Sequence, residues 1–256
     1  MKSKDTWSNS IPYREFRAPY FPELFTRASG ILELKGHERL LDIACGTGTL
    51  AFGFAPYVAS LTGVDTELPM LESARQYANA NGFKINLIHS KVEDMPQDIG
   101  PFDLVTIGKA HWFLDASKAV PKIDALLAED RKILVCIARC ESPWQSTFTR
   151  VRRNWAGSEK PHITPDDFFA DSNFRRSGMV VLEKRHVISL DYVVKRAFAF
   201  PGTTVASLGD KAEEFAADLK QSLSPFLVDN QLTETLKNIG YVFSRNANSR
   251  VRRTWY

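Results

Sequence analysis

The sequence predicts an α/β fold: a Rossmann-like, mostly parallel sheet with helices on both faces. Three observations lead to this prediction. Short apolar runs alternate with stretches of helical spacing between residues 40 and 140. The first apolar run passes into a turn at Gly46 and Gly48, and a helical segment follows at 49–57. A length of 256 residues, with 44% hydrophobic and 25% charged residues, suits one large α/β domain.

Composition excludes several classes of protein. The net charge of +3 is too small to indicate a nucleic-acid partner, and three cysteines do not make a disulfide framework. The first 15 residues lack the apolar core of a signal peptide, and no apolar run reaches the length of a membrane span. We therefore expect a soluble cytoplasmic protein without a membrane partner, either a monomer or a homodimer.

The glycine turn predicts a nucleotide-like ligand. Gly46 and Gly48 allow a tight turn and a close approach to the backbone, and Thr47 or Thr49 can cap the following helix. Gly46, Gly48 and Ala51 also fit the loose dinucleotide pattern G-x-G-x-x-A. Asp42 argues against a dinucleotide, because a carboxylate repels the pyrophosphate. The Asp42 carboxylate would instead attract a ligand that carries positive charge.

The segment Asp42-Ile43-Ala44-Cys45-Gly46-Thr47-Gly48 resembles motif I of the class I S-adenosylmethionine-dependent methyltransferases. The resemblance implies a seven-stranded sheet whose last strand is antiparallel. It also implies S-adenosylmethionine as cofactor and S-adenosylhomocysteine as product. The matching cofactor-binding positions are Asp42, Ala44, Gly46 and Gly48. An ammonium and a sulfonium group both suit the acidic neighbourhood of Asp42.

Residues 60–65 predict a second strand that ends in Asp65, 17 residues after Gly48. An acid at this position accepts hydrogen bonds from a ribose diol, and Thr66 follows it directly. Asp65 identifies an adenosine without distinguishing a nicotinamide cofactor from S-adenosylmethionine, and it could also cap the next helix. Helical spacing over 68–78 with a stop at Gly82, then a strand over 85–89, continue the alternation.

Residues 90–96 resemble the family loop that holds adenine. The matching positions are Val92 and Glu93, with Asp94 close by. Family members often have aspartate where this chain has Lys91, so this position departs from the family pattern and leaves the exact contact to adenine open.

A fourth strand is predicted over 102–107, and it leads into Gly108-Lys109-Ala110-His111-Trp112-Phe113. This loop resembles that of the subgroup containing trans-aconitate methyltransferases. The resemblance places Lys109 at the methionine end of the cofactor and Trp112 on the substrate side. His111 is a candidate general base, or a structural histidine that only positions groups.

Residues 7–30 are rich in aromatic side chains and arginine. The segment Tyr13-Arg14-x-Phe16-Arg17-x-Pro19-Tyr20 resembles a lid that closes over cofactor and substrate in small-molecule methyltransferases. Tyr13 and Arg17 are its candidate cofactor contacts. The alternative is an arm that packs on the sheet with solvated arginines.

A helix over 117–128 and a fifth strand over 133–138 complete the predicted core. Cys136 and Cys140 have no companion histidine spacing, so we expect structural cysteines and no metal site. From 141 to 179 aromatic residues, arginines and prolines replace the periodic pattern. A substrate cap here would use Arg152 and Arg153 on a planar or anionic acceptor, and a solvated basic face is the alternative.

The predicted organisation is a single domain over 1–256. It comprises an N-terminal lid (1–36), a cofactor-binding core (37–140), a substrate cap (141–179), and C-terminal strands and helices (180–256). The predicted reaction is methyl transfer to an O, N or C nucleophile of a small molecule. Two alternatives stay open: an RNA or protein methyltransferase, and a nicotinamide oxidoreductase or non-catalytic nucleotide-binding module.

Overall fold

The computed structural model describes residues 6–157 and 163–245, and the backbone alone at 252–254. Its strands form one sheet, in the order β3-β2-β1-β4-β5-β7-β6-β8. The strands are β1 Arg39–Ile43, β2 Ser60–Asp65, β3 Asn86–His89, β4 Phe102–Gly108, β5 Leu127–Glu141, β6 Phe174–Ser189, β7 Gln231–Arg245 and β8 Arg252–Thr254.

The first five strands pair in parallel, as the alternation of strands and helices predicts. The predicted seven-stranded sheet, six strands parallel and the last antiparallel, is confirmed for β1 to β7. The short β8 adds an eighth strand, which pairs in parallel with β6. The mixture of β-branched and aromatic residues over 241–256 predicts a terminal antiparallel strand pair there. Instead β7 begins ten residues earlier, at Gln231, because alternate residues from Leu232 onward are buried.

The helices alternate with the strands in the first half of the chain and cluster in the second half. They are α1 Pro22–Leu32, α2 Thr49–Phe54, α3 Leu68–Asn81, α4 Ala116–Leu126, α5 Gln145–Ala156, α6 Pro165–Phe168, α7 Leu190–Ala197, α8 Val205–Leu208 and α9 Ala212–Leu223. A 3₁₀ helix, Trp7–Phe16, precedes them. Among the described residues, no helix combines the length and apolar character that crossing a bilayer would require.

Strands β1 and β4 divide their side chains between the two faces of the sheet. Leu41, Ile43, Val105 and Ile107 belong to one buried cluster that includes Ile123 of α4. Asp42 lies between Leu41 and Ile43 and therefore points to the opposite face. The register pairs Asp42 with Thr106 of β4, so these two polar residues are direct neighbours.

The chain forms two compact units. One unit, called the core unit here, contains 20–137, 160–182 and 238–256. The other, called the second unit, contains 1–19, 138–159 and 183–237. This division differs from the predicted segments, since the predicted cap over 141–179 contributes α5 to the second unit and α6 to the core unit. The second unit has its own buried cluster, centred on Trp144, Phe215 and Leu219.

Candidate functional site

The turn after β1 combines three residues with left-handed backbone conformations. Ala44, Gly46 and Gly48 have φ values of 51°, 56° and 77°. A Cβ atom at Gly48 would lie 2.4 Å from the ring of Phe52, so glycine is required there by packing. A Cβ atom at Gly46 would meet no atom within 4 Å. The turn therefore leaves open space beside Gly46, where a ligand can approach the backbone.

Asp42 lies directly before this turn and is 1% exposed. Its Oδ1 accepts a hydrogen bond of 2.7 Å from the Thr106 hydroxyl. Its Oδ2 is buried and accepts no hydrogen bond from any residue that the structure describes. Burial raises the pKa of Asp42 to about 7, although the Thr106 hydroxyl and the nearby amide of Ala51 favour the charged form. A buried carboxylate oxygen without a partner indicates a place for a polar or cationic ligand group.

Asp65 stabilises the same turn from the end of β2. Its Oδ2 accepts a hydrogen bond of 2.8 Å from the amide of Gly46, and its Oδ1 accepts one of 2.9 Å from the amide of Glu67. Burial raises the pKa of Asp65, and these two amide contacts oppose that rise. Each carboxylate oxygen keeps a second lone pair, so Asp65 can hold the turn and still accept hydrogen bonds from a ligand.

The predicted adenine loop lies next to Asp65. Val92 and Glu93 form a 3₁₀ helix, Val92–Asp94, in which Val92 is buried and Glu93 is half-buried. The amide of Ser90, which opens this loop, donates to the carbonyl of Asp65. Thr66 is exposed, and its carbonyl lies 3.1 Å from Nε2 of His89. The structure thus brings the predicted ribose and adenine residues to one edge of the sheet.

At the end of β4, Lys109 also has a left-handed conformation, with φ of 55°. Its amide donates to the carbonyl of Cys136, and its Nζ lies 4.8 Å from the centre of the Tyr20 ring. The Tyr20 hydroxyl donates to the same carbonyl at 3.4 Å. Tyr20 belongs to the predicted lid segment but was not among the predicted site residues. Its place beside Lys109 depends on tertiary packing that the sequence does not reveal.

His111 is fully buried behind this loop. Its Nε2 lies 3.0 Å from the carbonyl of Ile163, and its ring packs edge-on against Trp112 and Phe168. Trp112 itself is half-buried. These contacts match the alternative in which His111 positions Trp112. A role as general base stays a prediction.

The other predicted residues belong to the second unit. Tyr13 packs on Phe198, with ring centres 5.3 Å apart. The guanidinium groups of Arg17 and Arg152 lie 5.2 Å and 4.0 Å from the centre of one ring, that of Phe200. Arg152 is buried, whereas Arg153 is exposed in a shallow groove of about 510 Å³. The predicted lid and cap residues Arg17 and Arg152 are therefore neighbours.

Known proteins are similar in sequence to part of this chain. A family model described as a methyltransferase domain matches residues 40–130. The uncharacterized methyltransferase YcgJ of Bacillus subtilis is 33% identical over 105 residues, which are 40% of this chain and 42% of that protein. The demethylmenaquinone methyltransferase of Thermus thermophilus is 33% identical over 112 residues, 43% of this chain and 51% of that protein.

Solved structures share the fold over most of the chain. The crystal structure of YcgJ from Bacillus subtilis has a TM-score of 0.60 at 21% identity and covers 89% of this chain and 100% of that one. A methyltransferase from Thiobacillus denitrificans, solved with S-adenosylhomocysteine, has a TM-score of 0.56 at 17% identity and covers 89% and 93%.

The chain contains a methyltransferase domain at residues 40–130.

The chain spans about half or less of the length of the first curated relatives. A ubiquinone biosynthesis O-methyltransferase of Cronobacter sakazakii aligns over more of the chain, at 27% identity over 187 residues, 66% of this chain and 72% of that protein. Among the described residues, no group of three or more histidine, cysteine or acidic side chains could hold a metal ion.

Proposed function

We propose that this methyltransferase transfers the methyl group of S-adenosylmethionine to an O, N or C nucleophile of a small molecule. The observation that supports the cofactor best is Oδ2 of Asp42, which is buried and accepts no hydrogen bond from the described residues, on a residue that shortly precedes the glycine turn in the chain. The cofactor carries an ammonium and a sulfonium group, and both have the charge that this oxygen suits. The pyrophosphate of a nicotinamide cofactor has the opposite charge.

The remaining site residues would bind the other parts of the cofactor. Asp65 would accept hydrogen bonds from the ribose diol, and Val92 and Glu93 would hold adenine. The structurally similar methyltransferase from Thiobacillus denitrificans was solved with S-adenosylhomocysteine, the product of this cofactor, which supports the choice of cofactor. Lys109 and Tyr20, a cation and an aromatic ring that face each other, would adjoin the methionine end of the cofactor.

The cofactor supplies an activated methyl group on a sulfonium leaving group. The protein therefore has to hold donor and acceptor in line and exclude water, and it needs a base only where the acceptor must lose a proton. His111 is buried and held against the carbonyl of Ile163, which suits orientation of Trp112 more than proton transfer. Trp112 would form part of the acceptor side.

An anionic or planar acceptor is the proposed substrate class. Arg17 and Arg152 place two guanidinium groups around the ring of Phe200, which is the kind of arrangement that binds carboxylates and aromatic rings. Arg153 would add a more exposed charge. The printed names of two relatives, a demethylmenaquinone methyltransferase and a ubiquinone biosynthesis O-methyltransferase, support a small-molecule acceptor.

Isothermal titration tests the cofactor first. S-adenosylhomocysteine should bind in the micromolar range, about −8 kcal/mol, and NAD and NADP much more weakly. Equal or tighter binding of a nicotinamide cofactor would overturn the proposal. Methyl transfer from labelled S-adenosylmethionine to a panel of carboxylated, uncharged and cationic small molecules, with RNA and protein included, then tests the acceptor. Turnover of RNA or protein alone would replace the small-molecule assignment.

A further inference from the structure

Thr106 is a fully buried threonine in the middle of β4, directly opposite Asp42 of β1 in the parallel register. Its hydroxyl donates a 2.7 Å hydrogen bond to Oδ1 of Asp42. A hydroxyl that donates to a carboxylate stabilises the charged form and restricts rotation of the group. One oxygen of Asp42 is thus held by the protein, and the other accepts no hydrogen bond from the described residues.

The charged and titratable groups around Asp42 do not perform this task. Asp65 at the end of β2 is an acid of the same sign, so it disfavours the charge on Asp42. Cys45 in the turn and Cys136 on β5 have pKa values raised by burial, so both stay neutral thiols. Lys109 at the end of β4 is a cation that faces Cys136 and the Tyr20 ring. Among the described residues, Thr106 is the one whose side chain donates a hydrogen bond to the carboxylate.

We propose that Thr106 is a positioning residue that holds the Asp42 carboxylate charged and correctly turned for a cationic group of the cofactor. The inference rests on the proposed cofactor. It assigns Thr106 no contact with the ligand, since its hydroxyl acts through Asp42. A threonine in this register is therefore part of the binding machinery, although its sequence context is that of an ordinary strand residue.

Replacement by valine isolates the hydroxyl because Thr106→Val keeps the shape of the side chain. Without the donor, the pKa of Asp42 rises further, and less of the carboxylate is charged near neutral pH. The affinity for a cationic ligand should then fall. The affinity increases as Asp42 loses its proton, and in the variant this increase should occur at a higher pH. A ligand without the cationic group should be insensitive to the change.

The experiment compares two probes by isothermal titration between about pH 5.5 and 9. S-adenosylhomocysteine carries an α-ammonium group, and 5′-methylthioadenosine lacks it. Near neutral pH, Thr106→Val should weaken S-adenosylhomocysteine about tenfold and 5′-methylthioadenosine less than twofold. Thr106→Ser, which keeps the hydroxyl, should restore most of the affinity. Thr62→Val is the matched control, because Thr62 is a buried threonine on the neighbouring β2.

The outcomes separate the inference from the proposed function. Equal losses for both probes, or an unshifted pH profile in Thr106→Val, would make Thr106 purely structural and overturn the inference. Absence of binding of S-adenosylhomocysteine to the wild type would overturn the proposed cofactor instead. The pKa of Asp42, measured by carboxyl ¹³C NMR in the ligand-free protein, should still rise in Thr106→Val. Thr106→Ala provides a second variant without the hydroxyl, and circular dichroism checks that each variant is folded.

Discussion

Asp42 places a carboxyl group on a buried strand, where the folded protein favours its neutral form. Its pKa of about 7 in the fold lies above the ordinary value of 3.8. The stability that this difference contributes is fully present below about pH 3.8 and is lost as the pH rises through 7, since only the unfolded chain releases the proton readily. Binding of a cationic ligand group would offset part of the free-energy cost of ionising the buried Asp42.

Asp42→Asn should remove this pH dependence. Between about pH 4 and 7 the free energy of unfolding of the wild type should fall relative to the variant, by up to about 4 kcal/mol. Burial of the asparagine amide adds an offset that does not vary with pH. Urea unfolding at several pH values gives the two curves. Parallel curves would show that Asp42 ionises as readily in the folded protein as in the unfolded chain.

The sequence identifies the residues of the glycine turn because their chemistry is local. Asp42, Gly46 and Gly48 follow one another closely, and the type and spacing of the residues predict their roles. Thr106 and Tyr20 could not be found in this way. Thr106 reaches Asp42 only through the pairing of β1 with β4, and Tyr20 reaches Lys109 only through tertiary packing. The sequence pattern within each strand does not reveal which residues pair between strands that are far apart in the chain.

The turn between β1 and α2 uses two glycines for different physical reasons. Gly48 precedes α2 and packs against Phe52, whose ring is itself stacked on Phe83. Gly46 faces open space. Both have left-handed conformations, which cost a non-glycine residue about 1–2 kcal/mol.

Alanine substitutions should separate these two requirements. Gly48→Ala should destabilise the fold most, because its Cβ overlaps a ring that cannot move freely. Gly46→Ala should cost about 1–2 kcal/mol of stability and weaken S-adenosylhomocysteine at least tenfold. Gly82→Ala is the control, since Gly82 has a φ of 71° with open space around it and ends α3 away from the turn. Normal binding by Gly46→Ala would place the ligand elsewhere.

Periodicity predicts the elements of the core well and those of the second half less well. The predicted strand at 60–65 and helix from 68 to Gly82 match β2 and α3 closely. The long strands β6 and β7 each change their burial pattern along their length. A strand whose surroundings change does not show one period from end to end.

The second unit is assembled from three separate segments that meet at one buried ion pair. Arg196 donates to both carboxylate oxygens of Glu234, at 2.5 Å and 2.8 Å. The same guanidinium donates to the carbonyl of Phe16, and the thiol of Cys140 donates to Glu234. Burial raises the pKa of Cys140 to about 12, so this thiol stays protonated and remains a donor.

Glu234→Gln should destabilise the protein by about 3–5 kcal/mol, because it leaves the charge of Arg196 buried without its anion. The matched control is Lys237→Met, which removes the ion pairs of Lys237 with the more exposed Glu141 and Glu183. That control should cost about 1 kcal/mol or less. Urea unfolding measures both. A loss for Glu234→Gln no larger than that of the control would mean that the pair does not secure the second unit.

The sequence does not predict that each of the two units is built from several separate segments of the chain. The predicted segments 1–36, 141–179 and 180–256 follow changes in composition, whereas the compact units follow contacts between distant parts of the chain. Arg196 and Glu234 show why. Each looks like an ordinary surface charge in its own element, and only the closed fold buries both.

Phe16 and Glu234 both accept hydrogen bonds from Arg196, and their distance along the chain affects when the second unit can fold during synthesis. During synthesis Phe16 leaves the ribosome before its partner Arg196, which lies 180 residues further along the chain. At 5–20 residues per second the interval is roughly 10 to 40 s. Throughout that time Tyr13 and Phe16 lack the rings of Phe198 and Tyr192 that they contact in the folded protein, so two large aromatic side chains stay uncovered on the nascent chain.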